Sequence, residues 1–428
     1  MSNFKIVLTA IFAICIVVGI ALFALSKGSS TTTAANLVVW GTLPTEVFNA
    51  AYKNSSLESN KQISISYVKV PEGTFDADFL EALASGQGPD IVLIKDTSVY
   101  KHRNKLFVIP YDSYSARNFK DNFLPVGEIF LSAEGVVALP FTLDPLVMYW
   151  NRDMFSNALI PTPPKYWDEI YGLVDKMTKR DSGGNILQSV IALGAFSNIT
   201  NAKEIVSQLL LQAGTPIVSR SLQGVISVLN SQFDYPIAPS QSAINFYTQF
   251  GNPTSPAYSW NRSLPSSLNF FLSGNLAMYI GFASEISSIQ QKNPNLNFDV
   301  TYVPQIRDAP KKLVFAHSYS LSIVKQSKQI AGAFLTLAGL TENSSLKSVG
   351  QITLLPPVRL DLIKELPIDS FQVVFYNSAL LSKSWIDPDG VATATIFRDM
   401  IDSITSGRKR QNEALSDANL ELNSLLSK

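Results

Sequence analysis

A helix, a tight turn and a strand follow one another in the stretch FLEALASGQGPDIVLI, residues 79–94. Apolar residues recur at helical spacing over residues 76–84, and Gly86 and Gly88 end that helix. Residues 89–94 then form a short apolar run, which is typical of a strand buried on both faces. A helix that returns directly into a buried strand indicates an α/β sheet.

The same alternation extends outward in both directions. Upstream, residues 37–40 predict a buried strand that ends at Gly41, residues 45–53 a helix, and residues 63–70 an alternating strand. In such a sheet the carboxyl ends of the strands gather at one edge, where ligands bind. Further elements are predicted downstream: helices at 202–213, 221–230, 240–250, 392–406 and 411–426, and strands at 277–280, 298–303 and 319–324.

The composition excludes several classes of protein. The chain has 428 residues with 34 basic and 34 acidic side chains, so it offers no overall positive field for nucleic acid. An apolar fraction of 46% excludes a disordered chain, and the length suffices for about two or three domains. Because His102, His317 and Cys15 are the only histidines and cysteine, cysteine–histidine zinc sites and disulfide frameworks are excluded within one chain.

An uninterrupted apolar segment lies near the N-terminus. Residues 6–25 carry no charge and would span about 30 Å as a helix, which is the thickness of a bilayer core. We expect a transmembrane anchor that contacts membrane lipid, with the folded part outside the cytoplasm; a cleaved signal peptide is the alternative. Residues 26–35 (SKGSSTTTAA) predict a flexible linker, after which the folded part begins at Asn36.

Five local patterns together resemble the bacterial extracellular solute-binding proteins of family 1, the maltose-binding-like receptors of ABC importers. Each pattern is short and occurs by chance elsewhere, but their common order and spacing over residues 37–426 are specific. The patterns are FLEALASGQGPDIV at 79–92, LP at 139–140 with MYWNRDMF at 148–155, PP at 163–164 with WDE at 167–169 and SGGN at 182–185, FLSGNLAM at 271–278, and AFL at 333–335 with Gly350 and LPP at 355–357.

The resemblance implies a two-lobed α/β fold of the type II periplasmic-binding-protein kind, with discontinuous lobes joined by a hinge. One lobe would comprise residues 36–140 and 318–354, and the other residues 145–315 and 356–428. The resemblance further implies a monomer that captures a small solute, by default a carbohydrate, through hinge closure and delivers it to ABC permease subunits in the membrane. It implies no catalysis, no cofactor and no metal.

A bound solute would lie in the cleft between the lobes, beside residues that follow strand ends. Sugars are held by aromatic faces and by polar groups that meet their hydroxyls. The sequence therefore predicts ligand contacts from a set of polar and aromatic residues near predicted strand ends, crossovers and loops: Gly41, Thr42, Lys95, Asp96, Asp144, Trp260, Phe282, His317, Tyr319 and Trp385.

Two positions depart from the family pattern. After Met278 the family often carries a tryptophan against the ligand, whereas this chain has Ser284, with Phe282 as a substitute aromatic. The lead-in to a later strand often carries two glycines, whereas this chain has His317 and Ser318. These bulkier polar groups would fill or line the cleft, and the missing tryptophan argues against a large oligosaccharide.

Three alternatives stay open at the level of the sequence. An anionic solute, held by helix N-termini with Lys95, Arg262 and His317, is the alternative to a carbohydrate. A surface sensor or adhesin would use the same fold without transport. An extracellular glycoside hydrolase would need two paired carboxylates, and no sequence feature pairs two of them.

Overall fold

The computed structural model describes residues 35–221 and 224–427. The strands in these ranges are β1 (Ala35–Gly41), β2 (Ile63–Lys69), β3 (Ile91–Lys95), β4 (Ile109–Pro110), β5 (Gly135–Val136), β6 (Leu139–Asn151), β7 (Lys179–Arg180), β8 (Ile186–Ile191), β9 (Val218–Ser221), β10 (Gly224–Ser227), β11 (Leu276–Phe282), β12 (Phe298–Thr301), β13 (Val314–Ile323) and β14 (Ser382–Lys383).

The α-helices of the same ranges lie between and after these strands. They are α1 (Thr45–Lys53), α2 (Phe75–Ala84), α3 (Asp96–Val99), α4 (Ala116–Asn122), α5 (Arg152–Asn157), α6 (Tyr171–Met177), α7 (Ala202–Ala213), α8 (Pro239–Gln249), α9 (Ser267–Leu272), α10 (Ile286–Lys292), α11 (Ile330–Leu340), α12 (Asn343–Thr353), α13 (Ser370–Leu380), α14 (Gly390–Thr405) and α15 (Gln411–Leu426).

One sheet connects most of the strands. Its order is β2-β1-β3-β13-β6-β11-β8-β7, with β12 paired to β6 and β14 to β13. The first three strands in sequence pair in parallel, as the predicted alternation of strand and helix requires, whereas β13 runs antiparallel to β3 and β6.

Two separate hydrophobic cores lie along this sheet. The first core takes buried side chains from Leu37 to Leu143 and again from Ala316 to Val349. The second core takes those from Leu146 to Phe315 and again from Trp385 to Leu426. We call the two halves the first lobe and the second lobe.

Two long strands join the lobes. In β6 the buried side chains change core between Leu143 and Leu146, and in β13 they change core between Phe315 and Ala316. The two strands pair directly at this point, where His317 lies opposite Asp144. Any polar residue placed there is therefore held between both lobes.

Several predicted boundaries need correction. Val358, Leu362 and Ile363 pack in the first core, although the sequence assigned residues 356–428 to the other lobe. Residues 221–230, predicted as a helix, instead contain β10, which pairs with β9, because that apolar run packs as one arm of a hairpin. Ala35, predicted as linker, begins β1.

The predicted apolar segment at residues 6–25 and most of the predicted linker lie outside the described residues. Within residues 35–221 and 224–427, no helix has both the length and the apolar character needed to cross a membrane.

Candidate functional site

Strand pairing brings several predicted residues side by side. His317 lies opposite Asp144 in the pairing of β13 with β6, and Tyr319 lies opposite Lys95 in the pairing of β13 with β3. Asp96 follows Lys95 directly and begins α3. The junction of the two lobes is therefore rich in charged side chains.

His317 connects carboxylates from the two lobes. Its Nδ1 lies 2.8 Å from Oδ1 of Asp96 in the first lobe, and its Nε2 lies 3.3 Å from Oε1 of Glu204 in the second. The other oxygen of Asp96 accepts a hydrogen bond from the Ser384 hydroxyl at 2.9 Å. The imidazole is only 2% exposed, so these contacts form inside the protein.

Lys203 extends the same network. Its Nζ lies 2.7 Å from Oδ2 of Asp387 and 3.7 Å from Oε1 of Glu204, and both Lys203 and Asp387 are buried. The Thr393 hydroxyl donates to the second oxygen of Asp387 at 2.8 Å. We call Asp96, Glu204, His317, Lys203 and Asp387 the junction network.

The geometry fixes the charge of His317. Ionised carboxylates only accept hydrogen bonds, so two ring nitrogens that both face carboxylates must both carry protons. Burial alone would lower the pKa of His317, but the charge of Asp96 and the hydrogen bonds to both carboxylates outweigh it and raise the pKa above 6.5. Burial would likewise raise the pKa of Glu204, yet the hydrogen bond from His317 and the charge of Lys203 lower it to about 2.

Asp144 has a different partner. It accepts hydrogen bonds from the backbone N–H of Ser284 at 3.0 Å and from its hydroxyl at 2.6 Å. Burial is the largest influence on Asp144 and raises its pKa despite these bonds. The serine at the position where the family often carries tryptophan therefore fixes a crossover residue by direct hydrogen bonds.

A cleft of about 620 Å³ opens between the lobes beside the junction network. The first lobe contributes Thr42 and Lys95 to its walls, and the second lobe contributes Phe196, Lys203 and Glu204. The buried hydroxyl of Thr42 has no hydrogen-bond partner within the described part of the chain. That hydroxyl is an exception, since buried polar groups are almost always paired.

An ion pair also crosses this cleft. Nζ of Lys101 lies 2.6 Å from Asp76 of the first lobe and 2.7 Å from Asp389 at the N-terminus of α14. All three residues line the cleft, so this contact holds its two walls together.

Phe282 and Tyr319 support the junction rather than the cleft surface. Phe282 is 7% exposed, and its ring centroid lies 5.1 Å from that of His317 and 5.9 Å from Nζ of Lys95. Tyr319 packs against the first core, where burial raises its pKa.

The two predicted tryptophan contacts are corrected by their burial. Trp260 is fully buried in the second core, where its indole N–H donates to Asn198 and its ring meets Phe270 edge-on. Trp385 is 4% exposed and stacks on Phe397. Neither tryptophan lines the cleft, because the loops that carry them fold inward onto the core.

Arg262, considered as support for an anionic solute, forms an ion pair with Asp402 of α14 at 2.7 Å. Lys95 and His317, by contrast, lie at the junction of the lobes. The sequence around Arg262 does not indicate this ion pair, because its partner Asp402 lies on a helix far away along the chain.

The second-lobe wall was missed by the sequence-based reasoning. Phe196, Lys203 and Glu204 lie after β8 and at the start of α7, and β8 was not predicted because Gln188 and Ser189 interrupt its apolar run. The available signal was the polar stretch SNITN at residues 197–201, directly before a helix that the sequence did predict.

Solved structures share this fold. The GacH receptor of Streptomyces glaucescens GLA.O, solved unliganded and with acarbose, matches with a TM-score of 0.69 and 17% identity over 92% of this chain and 99% of that one. A cyclo/maltodextrin-binding protein complexed with maltotetraose matches with a TM-score of 0.73 and 16% identity over 92% of this chain and 98% of that one. An ABC transporter solute-binding protein of Thermotoga lettingae TMO, bound with α-D-tagatose, matches with a TM-score of 0.66 and 19% identity over 92% of this chain and 100% of that one.

Sequence comparison agrees with the structural comparison. A putative binding protein of Brucella abortus (strain 2308) is 24% identical over 156 residues, which span 36% of this chain and 37% of that protein. The family model described as bacterial extracellular solute-binding protein matches residues 41–344. That match covers most of the chain and includes both strands that join the lobes, so the chain belongs to the bacterial extracellular solute-binding protein family.

Proposed function

We propose that this protein captures a carbohydrate in the cleft between its lobes and delivers it to ABC permease subunits in the membrane. The observation that carries this proposal is the cleft of about 620 Å³ whose walls come from both lobes. Membership of a solute-binding family supports capture, and the solved relatives bound to acarbose, maltotetraose and tagatose support a sugar as the solute.

The cleft walls suit a sugar chemically. The half-buried ring of Phe196 offers an apolar face for the flat side of a pyranose, and the Thr42 hydroxyl and Lys95 ammonium offer partners for its hydroxyl groups. A solute that touches both walls favours the closed arrangement, since it gains contacts there that the open arrangement lacks.

A thermal-shift panel on the full chain tests the proposal. The probes are maltotetraose, mannotriose, α-D-tagatose and inorganic phosphate, and a probe at 100 times its Kd should stabilise the protein by about 2.7 kcal/mol. A shift with phosphate alone would favour the anionic solute. Absence of any shift would count against capture of these solutes. Mass spectra of the recovered maltotetraose distinguish binding from hydrolysis.

Phe196→Ala tests the sugar-binding wall. Loss of an aromatic face should weaken the affinity for a saccharide that shifts melting by roughly two- to twelvefold, if the sugar gains what a pair of aromatic rings gains, about 0.5–1.5 kcal/mol beyond area burial. Phe246→Ala is the matched control, since Phe246 is also a half-buried phenylalanine packed against the second core. Equal loss of affinity in both variants would remove Phe196 from the binding wall.

We also infer that residues 6–25 anchor a monomer to the cell membrane with its lobes outside the cytoplasm. The family is extracellular by its description, which supports the placement of the lobes. Alkaline carbonate extraction should leave the full chain in the membrane pellet, whereas N-terminal sequencing that starts after residue 25 would indicate a cleaved signal. Uptake of the selected sugar by cells with and without the protein separates transport from a sensor or adhesin role.

A further inference from the structure

The segment from Lys95 to Arg103 separates two cavities. Lys95 and Lys101 line the cleft described above, whereas Asp96, Tyr100 and Arg103 line a second cavity of about 780 Å³. Because neighbouring residues of one short segment face different cavities, the second cavity lies beyond the wall of the first.

Both lobes contribute apolar side chains to the second cavity. Leu106, Val108 and Ile129 come from the first lobe, and Val225 and Ile386 come from the second. Apolar surface of this kind binds the hydrocarbon part of a ligand, because its burial removes both surfaces from water.

Three basic side chains also line this cavity: Arg103, Arg220 and Lys325. None of the three forms an ion pair with a carboxylate of the described residues. The guanidinium of Arg103 lies 4.0 Å from the ring centroid of Tyr100, and that of Arg220 donates to the backbone carbonyl of Ile129 at 2.9 Å. These contacts hold the two arginines at the cavity, where the charge of Arg220 also interacts with nearby Glu128 without forming a direct ion pair.

The acidic groups of the cavity do not neutralise these cations. Asp96 lines the cavity, but its two oxygens already contact His317 and Ser384. Glu134 is the other acidic residue of the lining, so three basic groups face two acidic ones, one of which is engaged by His317. A cavity with apolar walls and an excess of positive charge favours a ligand that is both apolar and anionic.

We propose that this second cavity binds an amphipathic anion, with its hydrocarbon part on the apolar walls and its carboxylate or phosphate group on Arg103, Arg220 and Lys325. Arginine suits this role because its planar fork of N–H groups matches the oxygens of carboxylate and phosphate. The proposal goes beyond sugar capture, since it concerns another cavity and another class of ligand.

Titration of the full chain with the fluorescent anion 8-anilinonaphthalene-1-sulfonate tests the proposal. The combined variant Arg103→Gln, Arg220→Gln, Lys325→Gln should bind this probe at least tenfold more weakly than the natural chain. Its affinity for the neutral analogue N-phenyl-1-naphthylamine should change less than twofold. An unchanged affinity for the anionic probe would overturn the proposal.

A matched control separates the cavity from overall charge. The combined variant Lys53→Gln, Lys61→Gln, Lys292→Gln loses the same three charges from exposed positions outside the cavity lining and should bind the anion within twofold of the natural chain. Equal weakening in this control would overturn the proposal. Val225→Trp fills the cavity and should weaken the binding of both probes. This variant tests the proposal if the combined variant fails to fold.

Competition distinguishes the two anionic headgroups. Octanoate and octyl phosphate below their aggregation concentrations should displace the probe, and the stronger competitor identifies the preferred headgroup. Octyl glucoside, which is neutral, should not displace the probe. Displacement equal to that by the two anions would contradict the proposal. Thermal shifts with saccharides should be unchanged in the variant that lacks Arg103, Arg220 and Lys325, so failure here and failure of sugar capture are separate results.

Discussion

His317 couples folding to pH through its two carboxylate partners. Asp96 and Glu204 contact opposite ring nitrogens, and the pKa of His317 is raised in the folded protein above the 6.5 of an unperturbed histidine. A raised folded pKa gives stability that is complete below about pH 6.5 and is lost as the pH rises through the folded pKa. We expect the free energy of unfolding, measured with urea, to fall over that alkaline window.

His317→Gln should remove this dependence. The difference in unfolding free energy between the natural chain and the variant should be largest at about pH 6 and shrink as the pH rises, since glutamine carries no titrating charge. His102→Gln is the control, because His102 is also buried but contacts the single carboxylate of Asp76. A difference for His317→Gln that stays constant with pH would contradict the role assigned to the imidazolium.

Among single substitutions, we expect the largest loss of stability from replacing Lys203. Lys203→Met leaves Asp387 buried without its cation and should cost about 3–5 kcal/mol of unfolding free energy. Lys347→Met is the matched control, because its ion pair with Glu365 is also 2.7 Å long but about half exposed, and such pairs contribute less than about 1 kcal/mol. A similar loss in both variants, measured by urea denaturation, would show that burial does not determine the cost.

Two of the residues predicted as ligand contacts reach the cleft because they follow recognisable strands. Lys95 and Thr42 come directly after or at the end of apolar strands, and both line the cleft. Trp260 was misplaced because polar neighbours along the chain suggested exposure, whereas its ring fills the second core. The pair of Lys203 with Asp387 joins residues far apart in sequence, and nothing local to either residue indicates the other.

At the scale of the element, α14 depends on the cap at its N-terminus. The carboxylate of Asp389 accepts hydrogen bonds from the backbone N–H groups of Val391 and Ala392, and it also pairs with Lys101. Asp389→Ala removes both contacts and should cost about 1–2 kcal/mol of unfolding free energy. Asp389→Asn keeps a capping oxygen and should cost less than about 1 kcal/mol. Equal losses by chemical denaturation would mean that the ion pair, not the cap, stabilises the helix.

The predicted helices are confirmed where the amphipathic pattern is long. Helices α7 and α15 have the predicted bounds, because about three turns or more of amphipathic spacing constrain the assignment. The helix predicted at residues 221–230 was wrong, since a short apolar run fits a strand as well as a helix. Helix α7 ends at Gly214, whose φ of 102° lies in the left-handed region, and glycine there satisfies the usual requirement of a helix C-terminus.

At the scale of the molecule, the division into lobes follows from β6 and β13. Both strands change core within a few residues, and the junction network occupies that crossing point. The family resemblance implied lobe boundaries in this region, but it did not reveal that Val358, Leu362 and Ile363 return to the first core. Local apolar patterns state that a residue is buried, not in which of two cores it is buried.

Lys101 links the two walls of the cleft, so Lys101→Met should shift the molecule toward the open arrangement. Its contacts with Asp76 and Asp389 are partly exposed and should together contribute up to about 1 kcal/mol, which corresponds to an affinity up to about fivefold weaker for a saccharide that shifts melting. The radius of gyration of the unliganded variant, measured by small-angle X-ray scattering, should increase for the same reason.

Lys120→Met separates this effect from the loss of any ion pair. Lys120 pairs with Glu128 at 3.1 Å, and both residues belong to segments of the first lobe, so the pair does not cross the cleft. We expect this variant to keep the saccharide affinity and the radius of gyration of the natural chain. If both variants weakened binding equally, the contact of Lys101 with Asp389 would have no special part in closure, and the cost of opening would lie in the buried junction network instead.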